Sequence, residues 1–339
     1  MVMDYTVAMQ RAIALAEKGL GKTAPNPIVG ALIIDSNGAV VGEGFHDQRK
    51  SSDHAEVVAI KAAGVKARGA TIVVSLEPCN HTGTTAPCTQ VIIDAGITTV
   101  VFAVSDPNAE AAGGAGTLRA AGITVVAGVL EKEAAYSNRA WLMKIKKGRP
   151  FFTWKVATTL DAKVAATDGT SKWITNETSR ADVQLLRRTA DAILVGTNTV
   201  ITDNPHLIPR GDFDGYAGNP IRVICGEQEL PKDSKIFDSA AQTVVVKSKN
   251  LELLVEKLNE LAINHVFVEA GPTLASAMVD HCLMDELVIY QAPSLLGSGK
   301  GFFTFDYPST ISNQMCLDHI STEVLDGDVK SVYRIRNGE

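Results

Sequence analysis

The amino-acid sequence predicts an α/β protein built as two domains. Three observations predict it. Short apolar runs of β character alternate with helical stripes through both halves of the 339 residues. That length suits two or three domains of about one to two hundred residues each. A basic cluster, Lys144, Lys146, Lys147 and Arg149, surrounds Gly148 and ends at Pro150, and strand character restarts directly beyond it. The cluster fits a hinge and an ordinary exposed loop equally; read as a hinge, it divides the chain into residues 1–146 and 150–339.

The elements follow in order. Met9, Ala12, Ile13, Ala16 and Leu20 recur at i, i+3, i+4, i+7 and i+11, one face of a helix. Gly19 and Gly21 can stop it, and Pro25 and Pro27 forbid its continuation. Ile28 to Ile34 reads as a strand, Ser36-Asn37-Gly38 as a turn, and Val40-Val41 as the start of a return strand. Ala55 to Ala63 is a short helix ended by Gly64. Thr71 to Leu76 and Thr98 to Val104 read as buried strands with helix-like Thr89 to Ala95 between them, a β-α-β unit whose strands are expected to be parallel. Ile123 to Val126 adds a strand, and Gly113-Gly114-Ala115-Gly116 reads as a flexible connection. In the second half, strands are expected over 151–157, 192–195, 221–224, 243–246, 266–268, 287–290 and 331–335. Helices are expected over 177–188, along the stripe Leu251, Leu254, Val255, Leu258 and Leu261, and from Pro272. Gly297-Ser298-Gly299-Lys300-Gly301 lacks the spacing of a phosphate-binding loop and carries glycine where the loop needs a hydroxyl.

Composition narrows the function. Hydrophobic residues make up 45% and charged residues 21%, enough apolar content for a sizeable core. Lys and Arg number 32 against 38 Asp and Glu, a net charge of −6, so no basic bulk exists to hold a nucleic-acid backbone by charge. Five scattered cysteines do not make a disulfide framework. The start, Met1-Val2-Met3-Asp4-Tyr5, lacks the pattern of a signal peptide, and the apolar run near Ile97 is too short to span a bilayer. The expectation is a cytoplasmic protein from a reducing cytosol, with no membrane and no nucleic-acid partner.

His54-Ala55-Glu56, Pro78-Cys79 and Cys88 carry the sharpest chemical signal. One imidazole and two thiolates are a zinc ligand set, and three protein ligands leave a fourth position for water, the arrangement of a catalytic site. Zinc in such a site yields hydroxide near neutral pH. Glu56, two residues from a ligand, is the candidate proton shuttle. Residues i and i+2 of a helix point about 200° apart, so His54 and Glu56 can converge only beyond a helix N-terminus. H-x-E followed by P-C…C is the pattern of zinc-dependent deaminases. Eight residues, Asn80 to Pro87, separate the cysteines here where two are usual. His46 or His81 as a fourth ligand would close the site and make the metal structural, leaving Glu56 without a use.

Ala24-Pro25-Asn26-Pro27-Ile28-Val29-Gly30, His54-Ala55-Glu56 and Pro78 to Cys88, with its long inter-cysteine loop, resemble the bifunctional deaminase–reductase family of riboflavin biosynthesis. Asp106-Pro107-Asn108 fits as well. So do Lys155-Val156-Ala157 through Leu160-Asp161, Ser171 to Thr175, Gly196 to Val200 through Asp203-Asn204-Pro205, and Glu269 to Leu274. The resemblance covers nearly the whole chain. It implies a cytidine-deaminase-like three-layer α/β/α domain followed by a dihydrofolate-reductase-like α/β domain. It implies one Zn2+ and NADPH as cofactors, a pyrimidine ribose phosphate as substrate, and a homodimer. Residue by residue, it places zinc on His54, Cys79 and Cys88, and NADPH on Ala157, Trp173, Thr199, Asp203 and the run Gly271, Pro272, Thr273, Leu274, Ala275, Ser276 and Ala277. It places substrate on Asn26, Ser171, Arg187, Leu207, Arg210 and Glu269. Two departures stand out. Lys50-Ser51-Ser52-Asp53 replaces the family's Ala-Gly-x-Pro, and Ala162 replaces a glycine after Leu160-Asp161, where a positive φ would strain it. Lys155 alternates within a strand and can be structural.

Two other readings compete. A nucleoside or nucleic-acid deaminase with a fused non-catalytic domain is opposed by the acidic balance and by the motifs of the second half. A zinc-stabilised assembly module predicts a closed four-ligand site.

Overall fold

The computed structural model describes residues 4–48, 50–81, 86–211, 218–303 and 310–336. The chain divides into two compact units, Met1–Gly148 and Arg149–Glu339.

The first unit contains α1 (Thr6–Glu17), β1 (Gly30–Ile34), β2 (Val40–Phe45), α2 (Ala55–Ala63), β3 (Thr71–Leu76), α3 (Cys88–Asp94), β4 (Thr99–Val104), α4 (Gly114–Ala120), β5 (Thr124–Ala127), α5 (Glu131–Ser137) and α6 (Arg139–Lys147). Its five strands lie in the order β2-β1-β3-β4-β5. β1 is antiparallel to β2 and β3, whereas β3, β4 and β5 run parallel, as the β-α-β reading requires. Alternation along the strands gives the sheet two apolar faces. Ile33, Ile72, Val74, Val100 and Phe102 pack under the alanines of α2, Ile92 of α3 and Leu118 of α4. Leu32, Val73, Val101 and Ala103 pack against Met9, Ala12 and Ile13 of α1 and Trp141 and Leu142 of α6. Helices thus cover both faces, the three-layer α/β/α arrangement.

Two features of this unit depart from the sequence reading. The first helix ends at Glu17, and Leu20 lies beyond it. Gly113-Gly114-Ala115-Gly116 is no flexible connection: Gly113 caps α4 and Gly114 begins it. A Cβ on Gly114 would lie 2.0 Å from the Pro78 carbonyl oxygen, so the glycine lets α4 touch the backbone beside Cys79.

The second unit contains β6 (Phe151–Thr159), β7 (Lys163–Ala166), α7 (Glu177–Thr189), β8 (Ala192–Gly196), α8 (Thr197–Asp203), β9 (Ile221–Cys225), β10 (Thr243–Val246), α9 (Leu251–Glu260), β11 (His265–Val268), α10 (Pro272–Asp280), β12 (Glu286–Ala292), β13 (Gly299–Gly301), β14 (Leu317–Leu325) and β15 (Asp328–Ile335). Eight strands lie in the order β10-β9-β8-β11-β6-β12-β15-β14. The run from β10 to β12 is parallel, and β15 and β14 close the edge antiparallel. Leu254 and Leu258 of α9 and Met278 of α10 pack on one face, against Phe152, Trp154, Leu194 and Val268. Val183 of α7 packs on the other, against Phe267, Val288 and Tyr290. The glycine-rich Gly299–Gly301 pairs with β7 in a separate two-stranded ribbon, consistent with its dismissal as a phosphate loop.

Ala162 has φ +60, the left-handed region that glycine enters without strain and alanine does not. The neighbouring Asp161 carboxylate accepts hydrogen bonds from Thr159 Oγ1 and from the backbone N–H groups of Leu296 and Gly297. These bonds, led by that from Thr159, hold Asp161 down to about 2. The turn is therefore tied firmly to the loop before β13.

Candidate active sites

The first site forms where α2 and α3 begin. His54 is the N-cap of α2, Glu56 lies in its first turn, and Cys88 is the first residue of α3. Cys79 follows β3. This is the convergence beyond a helix end that the H-x-E spacing demands. α2 reaches the sheet closely because β2 presents glycines to it. A Cβ on Gly44 would lie 2.3 Å from the Ala55 carbonyl oxygen, and one on Gly42 would lie 2.3 Å from that of Ala59.

His54 Nδ1 lies 3.3 Å from Cys88 Sγ and 3.6 Å from Cys79 Sγ. The ligand atoms all fall within 4.8 Å of one another. A tetrahedral ion with nitrogen and sulfur bonds near 2.0 and 2.3 Å has ligand-to-ligand edges of roughly 3.5 Å, so the residues fit zinc. Cys79 Sγ also accepts the Cys88 backbone N–H at 3.4 Å. The Cys88 thiol, the nearby imidazole and that N–H together hold Cys79 well below the ordinary thiol range. Among the described residues no fourth side chain joins this group. His46 Nδ1 instead meets the Asp53 carbonyl oxygen, and His81 is exposed at the rim.

A cavity of about 240 Å³ opens on this cluster, lined among others by Asn26, His46, His54, Glu56, Asp106 and Trp141. Glu56 is 3% exposed, and burial pushes its carboxyl above the ordinary range. Asn26 lies at the cavity wall, its Nδ2 donating to Gln48 Oε1 at 3.3 Å. The strap carrying Asn26 is fixed by Asn138, whose side chain bonds both backbone groups of Ile28. Glu77 fixes the opposite wall: one oxygen accepts from Ala115 N in the first turn of α4, the other from Asp106 N. Sequence reasoning passed over Asn138 and Glu77, because their partners lie 110 and about 30–40 residues away. Thr82 to Thr85 of the inter-cysteine loop lie outside the described residues.

The second site is a cleft of about 390 Å³ at the carboxyl ends of the parallel strands. Ala157, Ser171, Trp173, Thr199, Asp203 and Arg210 line it, as do Arg187, Glu269, Gly271 and Pro272. Leu207 and the run from Thr273 to Ala277 are outside that lining. Leu207 is buried between α8 and the sheet, with Ile193 and Val200, and helical periodicity turns Ala275 and Ser276 into the core. Trp173 is 65% exposed, with the Arg180 guanidinium 4.6 Å from its ring centroid. Asp203 meets Lys172 at 3.8 Å.

Glu269 anchors the floor. It accepts from Arg187 Nε and Nη2, both at 2.7 Å, and pairs with Lys155 Nζ at 3.1 Å. Burial alone would raise its carboxyl, but Arg187 and then Lys155 hold it below the ordinary range. Lys155 therefore lines the cleft beside Glu269. The sequence could not show this, because its partner Glu269 lies just beyond β11, far along the chain.

Comparison with known proteins gives the family of each half. The family of the cytidine and deoxycytidylate deaminase zinc-binding region matches residues 3–104, and the RibD C-terminal domain matches residues 150–330. Riboflavin biosynthesis protein RibD of Mycobacterium tuberculosis is 44% identical over 298 residues, covering 87% of both chains. The chain belongs to the bifunctional deaminase–reductase family of riboflavin biosynthesis. RibD of Escherichia coli is 38% identical, over 86% of this chain and 88% of its own. A solved deaminase/reductase of Thermotoga maritima superposes with a TM-score of 0.89 at 35% identity, covering 98% of this chain and 99% of that one. RibD of Acinetobacter baumannii gives 0.87 at 34%, covering 98% of each. The family's first activity is a zinc-dependent deamination and its second a reduction, so the chain is both a hydrolase and an oxidoreductase. A fused non-catalytic second domain is not favoured. Among the described residues no helix is long and apolar enough to cross a membrane.

Proposed function

We propose that the first unit deaminates 2,5-diamino-6-ribosylamino-4(3H)-pyrimidinone 5′-phosphate and that the second reduces the ribosyl group of the product to ribityl with NADPH. The observation that carries this reading is the placement of buried Glu56 in the same cavity as His54 and Cys79, two members of the His54–Cys79–Cys88 cluster. A zinc ion on His54, Cys79 and Cys88 would activate water at near-neutral pH. Glu56 takes a proton as the ring amino carbon is attacked and returns it to the nitrogen that leaves as ammonia. Asn26 holds a pyrimidine amide edge.

In the second unit the strand-to-helix junction at Gly271 and Pro272 suits a cofactor phosphate. Pro272, which has no N–H of its own, starts α10, and the positive end of a helix favours an anion. NADPH supplies the hydride when bound. Opening the ribosyl ring to an imine breaks the bond from C1′ to the ring oxygen; reduction then consumes one hydride at C1′ and one proton at nitrogen. Lys155, an ammonium at the cleft floor, is the proton source at hand, and Glu269 fixes its position. Arg210 takes the 5′-phosphate through its planar fork, and Arg187, whose Nε and Nη2 are held by Glu269, adds Nη1. Ser171, Ala157, Trp173, Thr199 and Asp203 complete the walls. The homodimer that the resemblance implies is part of this reading, and the sedimentation mass checks it.

The test incubates zinc-replete protein with the diaminopyrimidine ribose phosphate and follows product masses. Exchange of one amino group for oxygen is expected without NADPH, and gain of two hydrogens only with it. Folded, zinc-loaded protein that leaves the compound unchanged in both tubes overturns the substrate assignment.

A further inference from the structure

We propose that Gln184 is a positioning residue of the reductase: it sets Arg187 and Arg210 side by side as one clamp for the substrate phosphate. The proposal rests on reading those two arginines as phosphate ligands. Gln184 lies on α7 and is 8% exposed. Its Oε1 accepts the backbone N–H of Arg210 at 3.0 Å and lies 3.5 Å from Arg187 Nη1. Its Nε2 donates to the Arg180 carbonyl oxygen at 3.4 Å, one turn back along the helix. The amide therefore has one orientation. Turned over, it would face its NH2 against the Arg210 N–H, donor against donor, and its oxygen against a carbonyl.

The spacing explains why one helix does this. Residues three and four apart share a helical face, so Gln184, Arg187 and Arg188 present themselves together. Arg187 enters the cleft directly. Gln184 reaches the chain of Arg210, and Arg188 Nη1 donates to Gly218 O at 2.6 Å. From below, fully buried Arg222 donates to the His206 carbonyl oxygen at 3.3 Å, and Leu207 is locked in the core. The backbone of residues 206–210 is thus held at both ends. The Arg210 side chain itself is exposed and has no ion-pair partner among the described residues. An exposed guanidinium on a fixed backbone, next to one already oriented by Glu269, makes a preformed two-arginine site.

The test replaces Gln184 by methionine, which keeps the volume and removes the acceptor. Steady-state reduction is measured with the deaminated pyrimidine carrying ribose 5-phosphate and with the same compound lacking the phosphate. Gln184→Met is expected to raise KM roughly tenfold for the phosphorylated substrate, with kcat changed less than about twofold, and to leave kcat/KM for the dephosphorylated one unchanged. Deamination by the same preparation reports that the protein is folded. An unchanged KM, or an equal loss with both substrates, overturns the positioning role. Arg210→Ala separates that failure from failure of the clamp. If Arg210→Ala still discriminates the phosphorylated substrate as the wild type does, the phosphate binds elsewhere and the proposal falls with that reading. If Arg210→Ala loses the discrimination while Gln184→Met keeps it, the clamp stands and the role of Gln184 alone is refuted.

Discussion

Asn138 holds Ile28 by both of its backbone groups. Oδ1 accepts the Ile28 N–H at 3.0 Å and Nδ2 donates to the Ile28 carbonyl oxygen at 2.7 Å, with Asn138 itself 3% exposed. A side chain at the α5–α6 junction thus replaces a neighbouring strand and fixes the strap on which Asn26 and Pro27 reach the zinc cavity. Asn138→Ala leaves two buried backbone groups unpaired. It is expected to destabilise the first unit by about 1–3 kcal/mol and to raise KM for deamination, with zinc retained. Denaturant unfolding and zinc analysis check this.

Glu56→Gln tests the proton shuttle. Glutamine keeps size and hydrogen-bonding capacity but cannot carry a proton between water and nitrogen. Zinc content is expected to stay at one per chain, while the deamination rate falls by about 10²–10⁴-fold. Reduction of supplied deaminated substrate is expected to be unchanged. A variant that deaminates normally removes Glu56 from the mechanism.

Ala162 sits at φ +60 in the turn between β6 and β7. Glycine removes the Cβ penalty of that positive φ, and Ala162→Gly is expected to stabilise the second unit by up to about 1 kcal/mol, less the backbone entropy that glycine adds. Because Asp161 already ties the turn to Leu296 and Gly297, KM for NADPH is expected to stay within about twofold of the wild type. Thermal unfolding and cofactor titration check the two parts.

Asp191 is half-buried, and its desolvation pushes the carboxyl up to about 6, against the opposing hydrogen bonds from the N–H groups of His265 and Asn264. The unfolded chain releases that proton near the ordinary value of about 3.9. Between those values the folded state holds more protons than the unfolded state. Stability therefore falls as pH rises from about 4 to 6, and the penalty is complete above 6. Asp191→Asn keeps an oxygen for both N–H groups and cannot ionise. The variant is expected to gain on the wild type by about 1–3 kcal/mol between pH 4 and pH 7.5. Parallel curves at the two pH values would show that Asp191 is not the group responsible.

The parts legible in the sequence are those whose signal is local. Buried parallel strands such as Thr71–Leu76 and Ala192–Gly196 are largely apolar runs, and His54, Glu56, Cys79 and Cys88 carry their chemistry in residue type and spacing. Other parts depend on what comes near in space. Gly114 reads as chain punctuation, yet it is a contact point with the Pro78 carbonyl oxygen. β7 and β13 are short and hold lysine, alanine and glycine, so only their mutual pairing makes them strands. Lys155 is ambiguous as a single lysine in a strand, and Glu269, its partner, is on β11's C-terminal extension far along the chain. Gln184 has no sequence signature at all, because its role is set by the approach of Arg210.

The close seating of α2 on Gly42 and Gly44 governs how the metal site can evolve. Where helices rest on side chains, a larger or smaller residue shifts the helix by fractions of an ångström and gives selection a fine adjustment. Here main chain rests on main chain, so the height of His54 above the sheet has no such adjustment. Drift elsewhere in the core leaves the metal cluster in place, whereas any side chain at either glycine displaces imidazole and carboxylate together.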